Sequence, residues 1–447
     1  MDRHAADKTA FAGLLVLLLV AFAFGGGGIG SALANLTVQL VALCVLALRR
    51  ESFVSFWRES PRTLRILIAA SLALPLLQLV PLPESVWTSL PAGALVSGSL
   101  NLAGGSSGWM PVSVDPLRTL LAVTALVTPL AVLFGGWTLP RERLIDCGWA
   151  VVGLGLVTVL IGVVQLGATN DASTLYGSRA PGRILLGTFA NRNSTGLFLT
   201  LALGLAALLP APRPHPAISA ARLAVCTLLL IAVALTQSRT ALVLALLPVT
   251  LGIIKVLTEV LQKRRSISTG RAVMIGLASL AMVGAAAGAV VITSPGRVSA
   301  TLERFEAKDD PRRFIWDDAT YSADRYWPVG AGMGTFDDIY QVDESLENLT
   351  KRRAGRAHND YIELTIEAGA FGLALAAAWF VLIGWLSWRA RLSSQRWTAW
   401  AGSTFLLAIA LQSITDYPLR NQTILALAAF ALLLLIRIAV DRTRAKP

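Results

Sequence analysis

Residues 223–257 read LAVCTLLLIAVALTQSRTALVLALLPVTLGIIKVL. A membrane-spanning helix needs about 20 mostly apolar residues, with a range of about 17–25, so the run is too long for one crossing. Arg239 interrupts it, and a tight reversal near Gln237, Ser238 and Arg239 turns it into two crossings. A chain that folds back in this way inside an apolar run is a polytopic membrane protein, and the rest of the sequence agrees. Hydrophobic residues make up 55% of the 447 and charged residues 15%, with a mean hydropathy of +0.63. A soluble domain carries about 25% charged residues.

The same length rule marks twelve segments, near 10–28, 32–48, 64–80, 118–137, 148–166, 194–209, 223–237, 240–257, 273–293, 367–388, 398–415 and 422–438. The expected fold is therefore an all-α bundle of about 12 transmembrane helices. Residues 1–293 hold the first nine, 294–366 form one long loop with short helices, and 367–447 hold the last three and a basic tail. The charged N-terminus and apolar residues 10–24 have the look of a signal peptide. They lack a small-residue cleavage site and run on into residues 25–28 and another apolar segment, so they read as an uncleaved first helix.

The formal charge of +12 would suggest nucleic acid in a soluble protein. Here its placement argues against that partner. With the N-terminus inside, 23 of the 39 Lys and Arg residues fall on the inner side and 6 in short outer loops. That asymmetry puts both termini in the cytoplasm and the long loop outside. Cys44, Cys147 and Cys226 all lie in or beside apolar runs, so none staples the loop.

Inside the long loop, residues 312–327 read as an amphipathic helix with Ile315, Ala319, Ser322 and Tyr326 on one stripe. Residues 328–336 (PVGAGMGTF) read as a glycine-punctuated turn, and residues 337–351 as a second, polar helix. The connection at 81–116, rich in Pro, Gly and Ser, is expected to pack over the helix ends.

Of three histidines, only His358 stands at the mouth of a membrane helix; His4 is in the N-terminal tail and His215 in a proline-rich turn. One reading makes it a helix-capping or interfacial residue. The other makes it a general base, kept neutral by the helix N-terminus, with its ring looking along a wall of Tyr361, Ile362 and Thr365. Six outer-face arginines accompany it: Arg179, Arg183, Arg192, Arg239, Arg312 and Arg313. Arginine at an apolar boundary either reaches out to lipid headgroups or lines a polar cavity, where its fork of donors suits phosphate oxygens. Arg239 has no acidic residue nearby in sequence. The paired acids at Asp309, Asp317 and Asp337 lack D-x-D spacing and read as solvated loop carboxylates rather than metal ligands. The glycines at 330, 332 and 334 lack the Lys-Ser/Thr of a phosphate loop.

Together these pieces resemble the bacterial O-antigen ligase and polymerase superfamily, over roughly residues 120–438. The resemblance rests on an ordered set: Gly187-Thr188-Phe189 with Asn191 and Asn193; Thr236-Gln237-Ser238-Arg239; Arg313-Phe314-Ile315-Trp316; Pro328 with its glycines; His358-Asn359 with Glu367-Ala368-Gly369; and Asp416-Tyr417-Pro418. It implies an inner-membrane glycosyltransferase whose active face is periplasmic. The donor would be an undecaprenyl-diphosphate-linked glycan and the acceptor a sugar hydroxyl, with no metal or other cofactor. His358 would activate the acceptor while Arg239 and Arg313 hold the diphosphate. Arg312, Arg192, Arg183, Arg179 and Asn359 would complete the substrate contacts, and apolar helix faces would hold the polyprenyl tail among the membrane lipids. Arg192 departs from the proline that many relatives carry. Two alternatives stand beside this reading: a transporter or flippase for an anionic lipid-linked glycan, and a protein O-oligosaccharyltransferase of the same superfamily.

Overall fold

The computed structural model describes residues 3–28, 30–105, 108–167, 175, 184–211, 215–262, 312–347 and 354–441. Those residues fold as helices: α1 Arg3–Phe24, α2 Ala32–Leu48, α3 Arg50–Glu59, α4 Arg62–Gln78, α5 Glu84–Trp87, α6 Gly93–Leu102, α7 Pro116–Ala125, α8 Val127–Gly136 and α9 Arg141–Gly167. There follow α10 Arg192–Leu208, α11 Pro216–Leu235, α12 Arg239–Gln262, α13 Arg312–Tyr326, α14 Phe336–Asp343, α15 Asp360–Ala390, α16 Arg396–Gln412 and α17 Gln422–Asp441.

Among the described residues seven stretches are long and apolar enough to cross a membrane, one of them made of α7 and α8 together, or eight if the pair α2 and α3, bent by 76°, counts as one span. Among the described residues the expected count of twelve is not confirmed. The segments expected near 32–48, 64–80, 194–209 and 398–415 are present as α2, α4, α10 and α16, but each is a helix of 17 residues. At about 1.5 Å per residue such a helix falls short of the roughly 30 Å hydrocarbon layer. The segment expected at 273–293 lies outside the described residues. The span expected at 118–137 is two collinear pieces, α7 and α8. Pro129 cannot donate to the carbonyl of Ala125, and the ladder is interrupted at that point.

The centre of the bundle is α10 against α12, α16 and α9, with α17 against α16, α8 and α1. Small residues set these distances. A Cβ on Gly196 would come within 2.3 Å of the Ala241 Cβ, and one on Gly402 within 2.3 Å of the Ala431 carbonyl oxygen. Apolar side chains gain little from leaving lipid, so close backbone approach is what favours helix association in a bilayer.

The reversal expected inside residues 223–257 is present. α11 ends at Leu235, Gln237 takes a left-handed φ of 54°, and α12 begins at Arg239. The amphipathic loop helix is α13, with Ala319, Ser322 and Tyr326 buried. The second loop helix, α14, is shorter than expected and ends at Asp343. Tyr326, Ala331, Phe336, Ile339, Tyr340, Ala357 and Ile366 form a separate small core that joins the loop to α15.

The reading of the paired acids as solvated holds for the exposed Asp317 and needs correction at Asp318, Asp337 and Asp338, while residues 309–310 lie outside the described residues. Asp318 is buried and accepts hydrogen bonds from the Ser345 amide at 3.1 Å, the Ser345 hydroxyl and the Tyr340 hydroxyl. Burial, with Asp318 alongside, pushes the Tyr340 phenol above its ordinary range. Asp337 and Asp338 lie 3.3 and 3.2 Å from the Arg118 guanidinium and pin α14 to α7.

Candidate active site

α15 starts at Asp360 because Asn359 caps it. The Asn359 Oδ1 accepts from the amides of Tyr361 at 2.9 Å and Ile362 at 3.2 Å, an N-cap arrangement. Asn359, expected among the substrate contacts, thus also serves as the helix cap. Nine residues on, Gly369 breaks the helix with φ 56° and ψ −144°.

The glycine turn fits into that break. Ala370 N donates to the Pro328 carbonyl at 2.9 Å, Ala331 N to Ile366 O at 2.8 Å and Gly332 N to Glu367 O at 2.9 Å. A Cβ on Gly369 would stand 2.1 Å from the Pro328 oxygen, and one on Gly330 2.6 Å from the Ala368 nitrogen. Gln78 of α4 closes the joint, donating to Glu367 O and accepting from Met333 N. Glycine is thus required here both by positive φ and by contact. The turn exists to lock the loop onto the first segment of α15, whose N-terminus presents His358.

His358 stands outside the helix, before the cap, with a left-handed φ of 53°. Its ring does not run along Tyr361, Ile362 and Thr365 as a helical register would place it. It turns instead to the connection between α16 and α17. The imidazole centroid is 5.0 Å from that of Tyr417, tilted by 56°. Nδ1 lies 3.4 Å from Asp416 Oδ1, and the His358 side chain keeps 34% exposure while that of Asp416 keeps 1%. Among the described residues neither Nδ1 nor Asp416 Oδ1 has a hydrogen-bond partner, so the carboxylate stands beside the ring at ion-pair distance without a formed hydrogen bond, and the exposed side of the imidazole faces away from it.

The other Asp416 oxygen, Oδ2, accepts from the Asn191 amide at 3.3 Å. Asn191 is also the N-cap of α10, its Oδ1 accepting from Asn193 N at 2.8 Å. Asn193 in turn accepts from the Ser238 hydroxyl at 2.8 Å, and its carbonyl accepts from Gln412 at 3.2 Å. Ser238 precedes Arg239, and on the other side Thr240 meets Thr415 at 3.2 Å. Both neighbours of Arg239 are thereby tied to the elements that carry Asn193 and Asp416. Arg239 is half-buried at the first position of α12, and Arg192 is half-buried at the first position of α10. Trp316 donates to the carbonyl of Ala357 at 2.7 Å, which pins the first turn of α13 beside the His358 backbone. Arg312 is half-buried and Arg313 exposed on that turn. Arg179 and Arg183 lie outside the described residues.

Behind the histidine lies a charge cluster that the sequence reading did not single out. Asp360, Glu363 and Glu367 share one face of α15 at i, i+3 and i+7 spacing, and Arg420 meets all three at 3.8, 3.2 and 2.6 Å. Arg356 joins Glu363 at 2.9 Å, and Glu363 Oε1 accepts from Ala357 N at 3.0 Å. Burial by itself would lower the Arg420 pKa, but Glu367, Glu363 and Asp360 reverse that and hold it above the ordinary arginine range. Buried charges of this kind persist only when paired. Spacing could have revealed the acidic stripe; its partner, sixty residues later in a turn, had no such signal. Asp416 was visible only as part of Asp416-Tyr417-Pro418, without a role.

Among the described residues no group of three or more His, Cys, Asp or Glu side chains is arranged to hold a metal ion. The arrangement offers a partly exposed imidazole, a buried carboxylate 3.4 Å from it and several arginines at one end of the bundle. It suits proton removal next to a bound anion.

No curated protein matches the sequence. One solved structure, described as structural coordination of polymerization and crosslinking by a peptidoglycan synthase complex, contains a similar chain at 18% identity with a TM-score of 0.39, over 80% of this chain and 97% of that one. Residues 224–377 match the family model described as O-Antigen ligase. The matched stretch runs from α11 across Arg239, α13, the glycine turn and His358 to beyond the Gly369 break, and over it the chain is similar to the O-antigen ligase family, which supports the O-antigen ligase and polymerase superfamily and glycosyl transfer in general.

Proposed function

We propose that the protein transfers a glycan from a polyprenyl-diphosphate carrier, undecaprenyl diphosphate in a bacterial inner membrane, to a sugar hydroxyl on the periplasmic face. His358 Nε2 accepts the proton of the acceptor hydroxyl. The freed oxygen attacks the anomeric carbon of the donor, the new glycosidic bond forms, the bond from that carbon to phosphate breaks, and the lipid diphosphate leaves with its electron pair. Arg239, supported by Arg192 and by Arg312 and Arg313 on α13, meets the growing negative charge on the diphosphate. Fixed cations aimed at developing charge are an efficient form of transition-state stabilisation, and the planar guanidinium matches phosphate oxygens. Asp416 sets the imidazole tautomer, leaving the Nε2 lone pair free. Both termini are cytoplasmic on this reading, which the inner-side excess of Lys and Arg supports.

The observation that carries the proposal is the contact of His358 Nδ1 with Asp416, 3.4 Å away, in a turn shared with the elements that position Arg239. A histidine that only capped α15 would need no such partner, and Asn359 already performs the capping. His358→Gln tests it, since glutamine keeps a hydrogen bond but accepts no proton at neutral pH. Transfer should fall by about 10²–10⁴-fold, while the purified variant still binds the lipid-linked donor. A glutamine variant above about a tenth of parental turnover would leave His358 without its role as base. The surface glycan profile of a deletion strain then separates a ligase, which loses attachment, from a polymerase, which loses chain length.

A further inference from the structure

Asn191 makes two contacts at once. Its Oδ1 caps α10 through Asn193 N at 2.8 Å, and its Nδ2 donates to Asp416 Oδ2 at 3.3 Å. Asp or Ser would cap as well as Asn, so the cap alone does not call for an amide. The second contact does. Asp416 is 1% exposed, and its two oxygens face two different partners: Oδ2 faces Asn191, and Oδ1 faces His358. A buried carboxylate is held in one rotamer by the donors around it.

We infer that Asn191 is a positioning residue for the transfer reaction: its amide orients Asp416, so that the opposite carboxylate oxygen stays beside His358 Nδ1. This rests on the assignment of His358 as the base. It adds a residue of α10, on the far side of the bundle in sequence, to the machinery of the α15 mouth. The neighbouring Asn193 ties the same helix end to Ser238, next to Arg239. One capped helix start thus supports both the proton acceptor and the anion-binding arginine.

Two substitutions keep a cap acceptor and change only the second contact. Asn191→Ser is too short to reach Asp416, and the carboxylate, no longer held by that donor, turns away, so the imidazole loses its negative neighbour. Asn191→Asp keeps the cap but places a second carboxylate beside Asp416, which favours imidazolium. The other charged and titratable groups near the ring are Tyr417 on the Asp416 turn, Arg356 and Asp360 on its own segment, Arg420 paired to Asp360, and Arg192 and Arg239 on the adjacent helix ends. Neither variant replaces any of them.

The probe is diethyl pyrocarbonate, which acylates the neutral imidazole, applied to the purified full-length protein in detergent across pH 5–8 with the His358 peptide followed by mass spectrometry. The midpoint of the acylation profile should fall in Asn191→Ser and rise in Asn191→Asp, each by about half to one pH unit. In an Asp416→Asn background, Asn191→Ser should move it no further, since it acts through Asp416. Both single variants should lose about tenfold or more of glycan transfer, the equivalent of one hydrogen bond to a charged group. Profiles that overlay the parent's in both folded variants would reduce Asn191 to a cap and overturn the inference. Because acylation needs no substrate, that outcome is distinct from failure of the His358 assignment, which the transfer activity of His358→Gln decides alone.

Discussion

Arg420 Nη2 lies 2.6 Å from the Oε2 of Glu367, a carboxylate with no exposure of its own. The pair joins the turn that carries Asp416 to the helix that follows His358, so the two halves of the proposed catalytic pair are set by one buried ion cluster. Removing one partner of a buried pair costs about 3–5 kcal/mol, because the other charge is stranded. Arg420→Leu should therefore lower the thermal stability of the detergent-solubilised protein sharply, as read by fluorescence-detected gel filtration after heating. The double variant Arg420→Leu with Glu367→Leu should recover part of the loss. Equal melting of all three proteins would mean the cluster holds nothing together.

Asp416→Asn isolates the orienting carboxylate. An asparagine that turns its NH₂ toward Nδ1 selects the tautomer with the proton on Nε2, which cannot act as a base. Turnover should drop by about 10²–10⁴-fold. The sign of the pH effect follows from charge. The base works neutral, so activity is lost as pH falls, and removing a negative neighbour makes imidazolium less favourable. The acid limb of the rate profile should move to lower pH in the residual activity. A limb that moved to higher pH would contradict the contact.

Arg239→Lys keeps the charge but gives up the planar fork that binds two phosphate oxygens together. Most glycan transfer should be lost, with the variant inserted and folded as the parent is. Parental transfer by the lysine variant would instead make Arg239 an anchor to lipid headgroups.

Gly369→Ala tests the joint between the loop and the helix break. The new Cβ would meet the Pro328 carbonyl oxygen at 2.1 Å, on a residue with φ 56°. A positive φ with ψ −144° is a backbone region that glycine alone visits readily and costs another residue about 1–3 kcal/mol, and the backbone contact adds to it. The yield of folded protein should fall steeply, whereas Gly384→Ala, in α15 with open space around its Cβ, should be tolerated. Similar yields would show that the loop docks without this joint.

Cysteine placed at residue 358 or 239 should react with a membrane-impermeant maleimide in intact spheroplasts, after Cys44, Cys147 and Cys226 are changed to serine. Labelling seen only after lysis would reverse the proposed orientation.

The membrane architecture was legible from residues 223–257 and their like because a bilayer imposes a simple rule of length and polarity on each segment separately. The reversal before Arg239, the amphipathic stripe of α13 and the glycine turn are local patterns of the same kind, readable from neighbours in sequence. Length also explains why α10 and α16 fall short of a full span: both are buried among other helices, and a 17-residue helix there need not match the bilayer on its own.

The chemistry of His358 was half legible. Its type and its place at a helix mouth could be read, and its helical register could not, because a left-handed φ moved it off the helix and turned its ring to Asp416 and Tyr417. Asp318 passed for a solvated acid until the fold closed Ser345 and Tyr340 around it. Arg420 read as one more cation in an outer loop, and only folding set it against three carboxylates of α15. What the sequence determined by itself was every property that a segment holds alone: apolar length, amphipathic period, glycine at a turn, charge in a connection. What only the tertiary structure decided was pairing. Whether a carboxylate is solvated, orients a base or neutralises an arginine depends on groups tens to hundreds of residues away, and only folding brings them within hydrogen-bonding range.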